Sequence, residues 1–413
     1  MKRLLSAITA MLMLLAAFSA LAATRETTYN EHDLSKLAAF LEIADSSGRT
    51  NGWKLDPGYD PADPSTWGVD ADGEPCFVWT GGAEKRIERI SVRSKDLVGA
   101  LDVSGCDALS GIFISDNDIT GLNASGCAGL SEIYAGGCLI ERMDLTGCAG
   151  LSYLFAYQNR LTALDLSDCT ALYQLDVSDN LLTELDLTGL ARLYSLTCVN
   201  NAITGLELSG CPGLAYLYAT DNRISSIDLS ANPRLYRVTL SRNPIEKLDL
   251  TGITEPDIVY CAECPLKCID LHDCAAFPVK AAYTLGGGRC DYAYSDGMGS
   301  GSMTAVPDEG ESFLGWYTFE GEPVSESAYI SINRSSPRIL IARFSGAAAG
   351  PGDADLSGTI DTTDALYALR CALGIERAFV DMPQCDMDGS AFIDTTDALR
   401  ILRLALGIEH THV

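Results

Sequence analysis

Two stretches near the C-terminus carry oxygen-bearing residues at regular intervals: DADLSGTIDTTDAL at 353–366 and DMDGSAFIDTTDAL at 386–399. Calcium takes roughly six to eight oxygens, and a loop of about twelve residues supplies them from alternate positions and its last one. The first stretch offers Asp353, Asp355, Ser357, the Thr359 carbonyl, Asp361 and Asp364, with Gly358 at the tight turn. The second offers Asp386, Asp388, Ser390, the Phe392 carbonyl, Asp394 and Asp397. Carboxylates crowded this closely repel one another unless a divalent cation sits among them. The spacing therefore predicts two Ca2+ sites. Ala391 stands where the first loop has Gly358; a Cβ in a left-handed turn costs roughly 1–2 kcal/mol, so the second site is expected to bind more weakly.

A loop of this kind needs an anchoring element, and both stretches run into short amphipathic helical patterns, ALYALRCALGI at 365–375 and ALRILRLALGI at 398–408. This duplicated EF-hand-like loop and helix over 353–409, with Asp at the last loop position, resembles a type I dockerin. The resemblance implies docking onto a cohesin module of a scaffolding protein, as in cellulosomes devoted to polysaccharide degradation. It implies cohesin contacts from Thr362, Thr363 and Arg370 in one copy and Thr395, Thr396 and Arg403 in the other. The alternative is a free secreted adhesion or host-interaction protein that uses calcium for stability only.

A formal charge of -27 excludes nucleic acid and anionic membrane surfaces as natural partners, since phosphate would be repelled. The first 22 residues read as a signal peptide: Lys2 and Arg3, an apolar stretch, then Ala20-Leu21-Ala22. No later run reaches the length of a membrane span, roughly 20 apolar residues. An exported, extracellular protein is expected.

The middle of the chain is periodic. Leu101, Leu122, Met143, Leu164, Leu185, Leu206, Ile227, Leu248 and Ile269 each lie 21 residues apart. The clearest unit is LDLSDCTALYQLDVSDNLLTE at 164–184. Its pattern, L-x-x-L-x-L-x-x-N/C-x-L, resembles the leucine-rich repeat family. Such a coil is too small to fold alone and buries its apolar side chains by stacking on its neighbours, with strands such as QLDVS at 174–178 lining a concave parallel sheet. Asn117, Asn159, Asn180, Asn201, Asn222 and Asn243 fall at unit position seventeen, as do Cys138 and Cys264. There an inward-turning backbone needs partners that an amide can supply. Cys106, Cys127, Cys148, Cys169, Cys211 and Cys274 fall at position six, and Cys198 and Cys261 at inward position fourteen. They are read as core residues rather than zinc ligands; between residues 101 and 345 only Cys268 and Cys290 have no place in the repeat.

Position two is acidic in most coils, including Asp165, Asp186, Glu207 and Asp228, and is read as a solvated edge. Outward strand positions hold Phe113, Tyr134, Tyr153, Phe155, Tyr157, Asp176, Tyr216, Tyr218 and Tyr260. An exposed aromatic cluster on a rigid sheet predicts recognition of a protein or a glycan there.

Residues 23–100 are read as the cap of the solenoid: a helix at 33–44 opened by an Asp N-cap, a Gly/Pro/Asp-rich loop, and a strand at 86–94, with Trp53, Trp67 and Trp79 plugging the open end. Behind the repeats of 101–276, the segment 277–345 is read as a small all-β spacer module. Its run from Pro307 to Trp316 and the closing Ala-Arg-Phe resemble the internalin B-repeat type. A linker at 346–352 precedes the C-terminal pair of loops. The expected architecture is multidomain: a leucine-rich repeat solenoid, a small all-β module and an α-helical calcium module. The chain's four His residues have no nucleophile in a recognisable motif beside them. No enzyme is expected.

Overall fold

The computed structural model describes residues 28–250, 253, 258–266, 268–270, 281–285, 287–295, 300–317, 323–332, 339–345, 365, 369 and 395–406. The segments read as signal peptide and linker, and nearly all of the two stretches read as calcium loops, lie outside them. The chain divides into two compact units, Met1–Leu161 and Thr162–Val413.

In the first unit, strands Ile87–Ser91, Gly111–Phe113, Glu132–Tyr134 and Tyr153–Phe155 pair in parallel, one per coil. A second parallel sheet joins Val98–Asp102, Asp118–Asn123 and Arg142–Asp144. The repeat begins earlier than its first obvious copy: Ile90 pairs with Ile112 in register, so the segment read as a cap strand is a coil in its own right. The strands that start at position eleven, Gly111–Phe113, Glu132–Tyr134 and Tyr153–Phe155, are three residues long where five were expected, because the chain turns inward early. Asp116 (φ 58°) and Gln158 (φ 52°) adopt the left-handed region at position sixteen. That turn swings the next side chain into the core.

The Asn ladder does what its position predicts. The Asn159 amide donates to the carbonyls of Ala135 (2.7 Å), Ala156 (3.1 Å) and Tyr157 (3.1 Å), and its carbonyl accepts from the Ile140 N–H at 2.9 Å. Cys138 fills the same place with its thiol donating to Ile114 O at 3.2 Å. At position six, Cys127 and Cys148 are fully buried and donate to Val103 O and Ala124 O, one coil back.

Two details of the cap differ from expectation. The helix spans Glu31–Leu41 and its N-cap is Asn30, whose side chain accepts from the Asp33 N–H. Asp33 instead sits in the helix's first turn with no exposure, held by Arg86 and the Ile87 amide. Of the three tryptophans, Trp67 is buried and packs edge-on to Phe77, but Trp53 is 43% exposed and takes the Arg49 guanidinium on its ring. The helix that carries it is only five residues long and turns that edge to water.

In the second unit, Gln174–Asp176, Ser195–Thr197, Tyr216–Tyr218, Arg237–Thr239 and Ile258–Cys261 pair in parallel with the same one-strand-per-coil register. The segment read as a spacer is an extension of these sheets. Gly288–Ser295 adds antiparallel to Ile258–Cys261, and Ala281–Leu285 adds antiparallel to Cys268–Asp270. An exposed sheet edge offers unpaired N–H and C=O groups, and the β-module covers both edges. Cys290, which the repeat did not explain, is a buried residue of this added strand. Trp316 and Phe344 form the module's own core. A helix spans Thr395–Ala405, burying Ala398 and Ile401. Among the described residues no helix is long and apolar enough to cross a membrane.

Candidate functional site

On the sheet face of the first unit, successive coils bring three rings into a stack. Phe113 and Tyr134 lie 5.1 Å apart at 14°, and Tyr134 and Phe155 lie 4.8 Å apart at 24°. These residues share position thirteen, so the 21-residue period and the strand spacing of about 4.8 Å place the rings at stacking distance. Tyr153 and Tyr157 flank the stack at positions eleven and fifteen and are more than a third exposed. Phe113 is not the open ring its position suggested: only 7% of it is exposed. Its cover is Tyr134 together with two guanidinium groups, Arg89 at 4.5 Å and Arg93 at 4.8 Å from the ring centroid, with Arg93 also 5.2 Å from Tyr134.

Sequence reasoning misses Arg89 and Arg93 because their strand reads as a cap. The observed pairing steps back 22 residues, with Arg89 opposite Gly111, and so puts them at outward positions eleven and fifteen, one residue off the strict 21-residue period. Gly111 makes the arrangement sterically possible, since a Cβ there would meet the Phe113 ring at 2.8 Å.

The sheet face of the second unit is a tyrosine cluster. Tyr173 and Tyr194 stack at 5.0 Å and 2°, Tyr194 meets Tyr216 edge-on at 5.3 Å, and Tyr216 contacts Tyr218 and Tyr236. Tyr173, Tyr194 and Tyr236 share position ten, a column the outward-strand reading left out. Asp176 is half-buried and caps the Ser178 N–H; Tyr260 is 39% exposed. Arg242 is tied between Asp221 and Glu263.

The acidic column has a structural task. In the second unit Asp165, Asp186, Glu207 and Asp228 accept from the N–H groups of Ser167, Thr188, Ser209 and Ser230 at 2.8–3.0 Å. Hydrogen bonds from the side-chain hydroxyls of the same Ser and Thr residues, together with these backbone N–H bonds, hold all four carboxyls below their usual range. They line an open groove of about 870 Å³ with Leu164, Leu185, Leu206 and Ile227 at its floor. Asx-type turns of this kind satisfy backbone donors at the start of each coil.

The ligating atoms of His32, Asp33 and Cys106 lie within 4.8 Å of one another. Asp33 already pairs with Arg86 (2.9 and 3.1 Å), which also reaches Asp107 at 2.9 Å. A guanidinium therefore occupies the place a metal would need. The twelve calcium-ligand candidates lie outside the described residues, except that Asp397 falls within the Thr395–Ala405 helix, as do Thr395, Thr396 and Arg403. Thr362, Thr363 and Arg370 also lie outside.

No family model and no curated protein matches the sequence. Solved structures do. The functional domain of InlJ from Listeria monocytogenes, described as including a cysteine ladder, is 16% identical, with 62% of this chain and 67% of that one covered and a TM-score of 0.41. The leucine-rich effector YopM from Yersinia pestis is 20% identical over 44% of this chain and 54% of that one, TM-score 0.36. The internalin inlF from Listeria monocytogenes is 21% identical over 41% and 51%, TM-score 0.33. The chain spans about half the length of the latter two.

Proposed function

We propose that this protein is a non-catalytic extracellular binding subunit that recognises a protein or glycan on its sheet face and is held on a cohesin-bearing scaffold by its C-terminal calcium module. The observation that carries the recognition role is the Phe113–Tyr134–Phe155 stack with Tyr153 and Tyr157 beside it. Short strands in a continuous ladder fix these rings without loop motion, so binding orders few side chains and loses little entropy. Replacing Tyr153, Phe155 and Tyr157 together by Ala is expected to abolish capture on protein and glycan arrays without unfolding the protein. Unchanged capture would move the site elsewhere.

The docking role is supported by the repeated loops at 353–364 and 386–397 and by the helix that begins at Thr395, inside the second loop. In a calcium loop the exiting helix starts before the last ligand, which puts Asp397 in the helix's first turn. A pull-down with cohesin modules in calcium and in chelator tests this role; equal recovery in both, or none in either, would remove it. Calorimetry is expected to resolve two calcium sites, the one containing Ala391 weaker by roughly 1–2 kcal/mol.

A further inference from the structure

We infer that the sheet face of the first unit takes a carboxylate-bearing polypeptide segment, with Arg89 and Arg93 as its charged contacts. The inference rests on the recognition role proposed for this face and specifies the class of partner.

The first observation is charge. The chain carries 56 acidic against 29 basic residues, so two guanidiniums gathered on one aromatic stack form a positive patch on a negative background. Elsewhere in the first unit Lys36 pairs with Asp102, Lys54 with Asp45, and Arg86 with Asp33 and Asp107. Arg89 and Arg93 are exposed and, among the described residues, make no ion pair. What holds them is the aromatic stack, through the ring contacts at 4.5–5.2 Å. A guanidinium resting on a ring keeps its in-plane N–H fork available, and that fork matches a carboxylate bidentately. Arg89 lies on the strand Ile87–Ser91 and Arg93 two residues past its end, and both guanidiniums reach the Phe113 ring, so they meet on the same face.

The second observation is which ring surfaces remain. Sugar recognition by aromatic residues uses ring faces. Tyr134 has Phe113 on one face and Phe155 on the other, and Phe113 has Tyr134 and two guanidiniums. What remains of Phe113 and Tyr134 is their rims, whose hydrogens carry the positive end of the ring quadrupole. Cations and rims together attract carboxylates, while the rims and the exposed Tyr153 and Tyr157 rings favour apolar side chains. A sulfated glycan would satisfy the guanidiniums and leave the apolar surface uncovered; a segment that mixes acidic and aliphatic residues satisfies both. Glu132, at position eleven of the next coil, bounds the positive patch on one side.

A fluorescein-labelled (Glu-Glu-Leu)4 peptide, its (Gln-Gln-Leu)4 counterpart and a heparin octasaccharide serve as probes, read by fluorescence anisotropy or competition at low salt. The acidic peptide is expected to bind the full-length protein saturably and at least tenfold more tightly than the Gln peptide. Arg89→Ala/Arg93→Ala should weaken it tenfold or more, and Arg89→Lys/Arg93→Lys should weaken it less, with cooperative thermal unfolding and the native far-UV circular dichroism retained in both, the Ala variant melting somewhat lower because Phe113 loses part of its cover. Equal binding by wild type and the double Ala variant, or heparin binding without peptide binding, would overturn the inference. If the acidic peptide fails while Tyr153/Phe155/Tyr157→Ala still abolishes array capture, the partner class is wrong and the recognition role stands.

Discussion

The ring of Tyr157 lies flat against the bare backbone of Gly136, one coil earlier, so closely that a Cβ at Gly136 would overlap it. Exposure and fixed position coexist in Tyr157 because its underside is seated while its rim faces solvent. Gly136→Ala must either push the ring out or strain the coil, and overpacking of this kind costs about 1–3 kcal/mol. Urea unfolding is expected to show that loss, with array capture reduced as in a Tyr157→Ala variant. Wild-type stability together with wild-type capture would mean that the seat is unimportant.

Asn159 is the second expectation. Four backbone groups depend on its amide, and Ala can replace none of them. Each buried group left without a partner costs about 1–3 kcal/mol. Relaxation and water entry recover part of this, leaving about 2–4 kcal/mol for Asn159→Ala by chemical denaturation. Asn159→Cys should lose less, because Cys138 fills the same position in the preceding coil with one donated hydrogen bond.

Asp33 makes the fold of the first unit acid-sensitive. Burial alone would raise its carboxyl, but hydrogen bonds from Arg86 and the Ile87 amide and the Arg86 charge outweigh burial and hold it below the usual carboxylate range. A carboxyl lowered in the folded state contributes stability above its unfolded pKa, about 3.9, and that contribution is lost as pH falls through the lowered value. The unfolding free energy is therefore expected to drop below about pH 4. Asp33→Asn should flatten that acid arm. At pH 7 it should cost about 3 kcal/mol, since it breaks a buried pair and leaves Arg86 with Asp107 alone.

How much of this is legible in the sequence depends on where each signal resides. The 21-residue period, the Asn ladder and the cysteine core are local and repeated, so the spacing of Asn159, Cys127 and Leu164 is enough to assign their roles. Asp33 resembles a cap in the sequence because its partner, Arg86, is 53 residues away and neither residue is periodic. Phe113 looks open there because sequence position reports the strand face but not which neighbours fold back over it. Arg89 and Arg93 are hidden by one extra residue: Ile90 pairs with Ile112 across a 22-residue step, whereas the 21-residue period aligns Ser91 with Ile112. The β-module's pairing with Ile258–Cys261 and Cys268–Asp270 depends on long-range edges that no local pattern records.

The thiols supply the last expectation. Burial pushes Cys127 and Cys198 up to about 12 and Cys76, Cys169 and Cys211 to about 11. Eleven described cysteines are buried, and none of these eleven is in a disulfide. The thiolate is the reactive form, so burial removes both access and reactivity. At pH 8 a thiol reagent should label native protein at no more than Cys268, Cys274, Cys371 and Cys385, and should label all 15 cysteines once the reduced protein is unfolded. A thiol whose pKa is raised on folding stabilises the fold below its unfolded value, 9.0, and that contribution fades as pH climbs toward the folded value of about 12 for Cys127. Stability should therefore decline from about pH 9 upward. Cys127→Ser would remove one titrating group and shallow that decline. Rapid labelling of Cys127 in the native state at pH 8, read by peptide mapping, would show that the core is open to solvent.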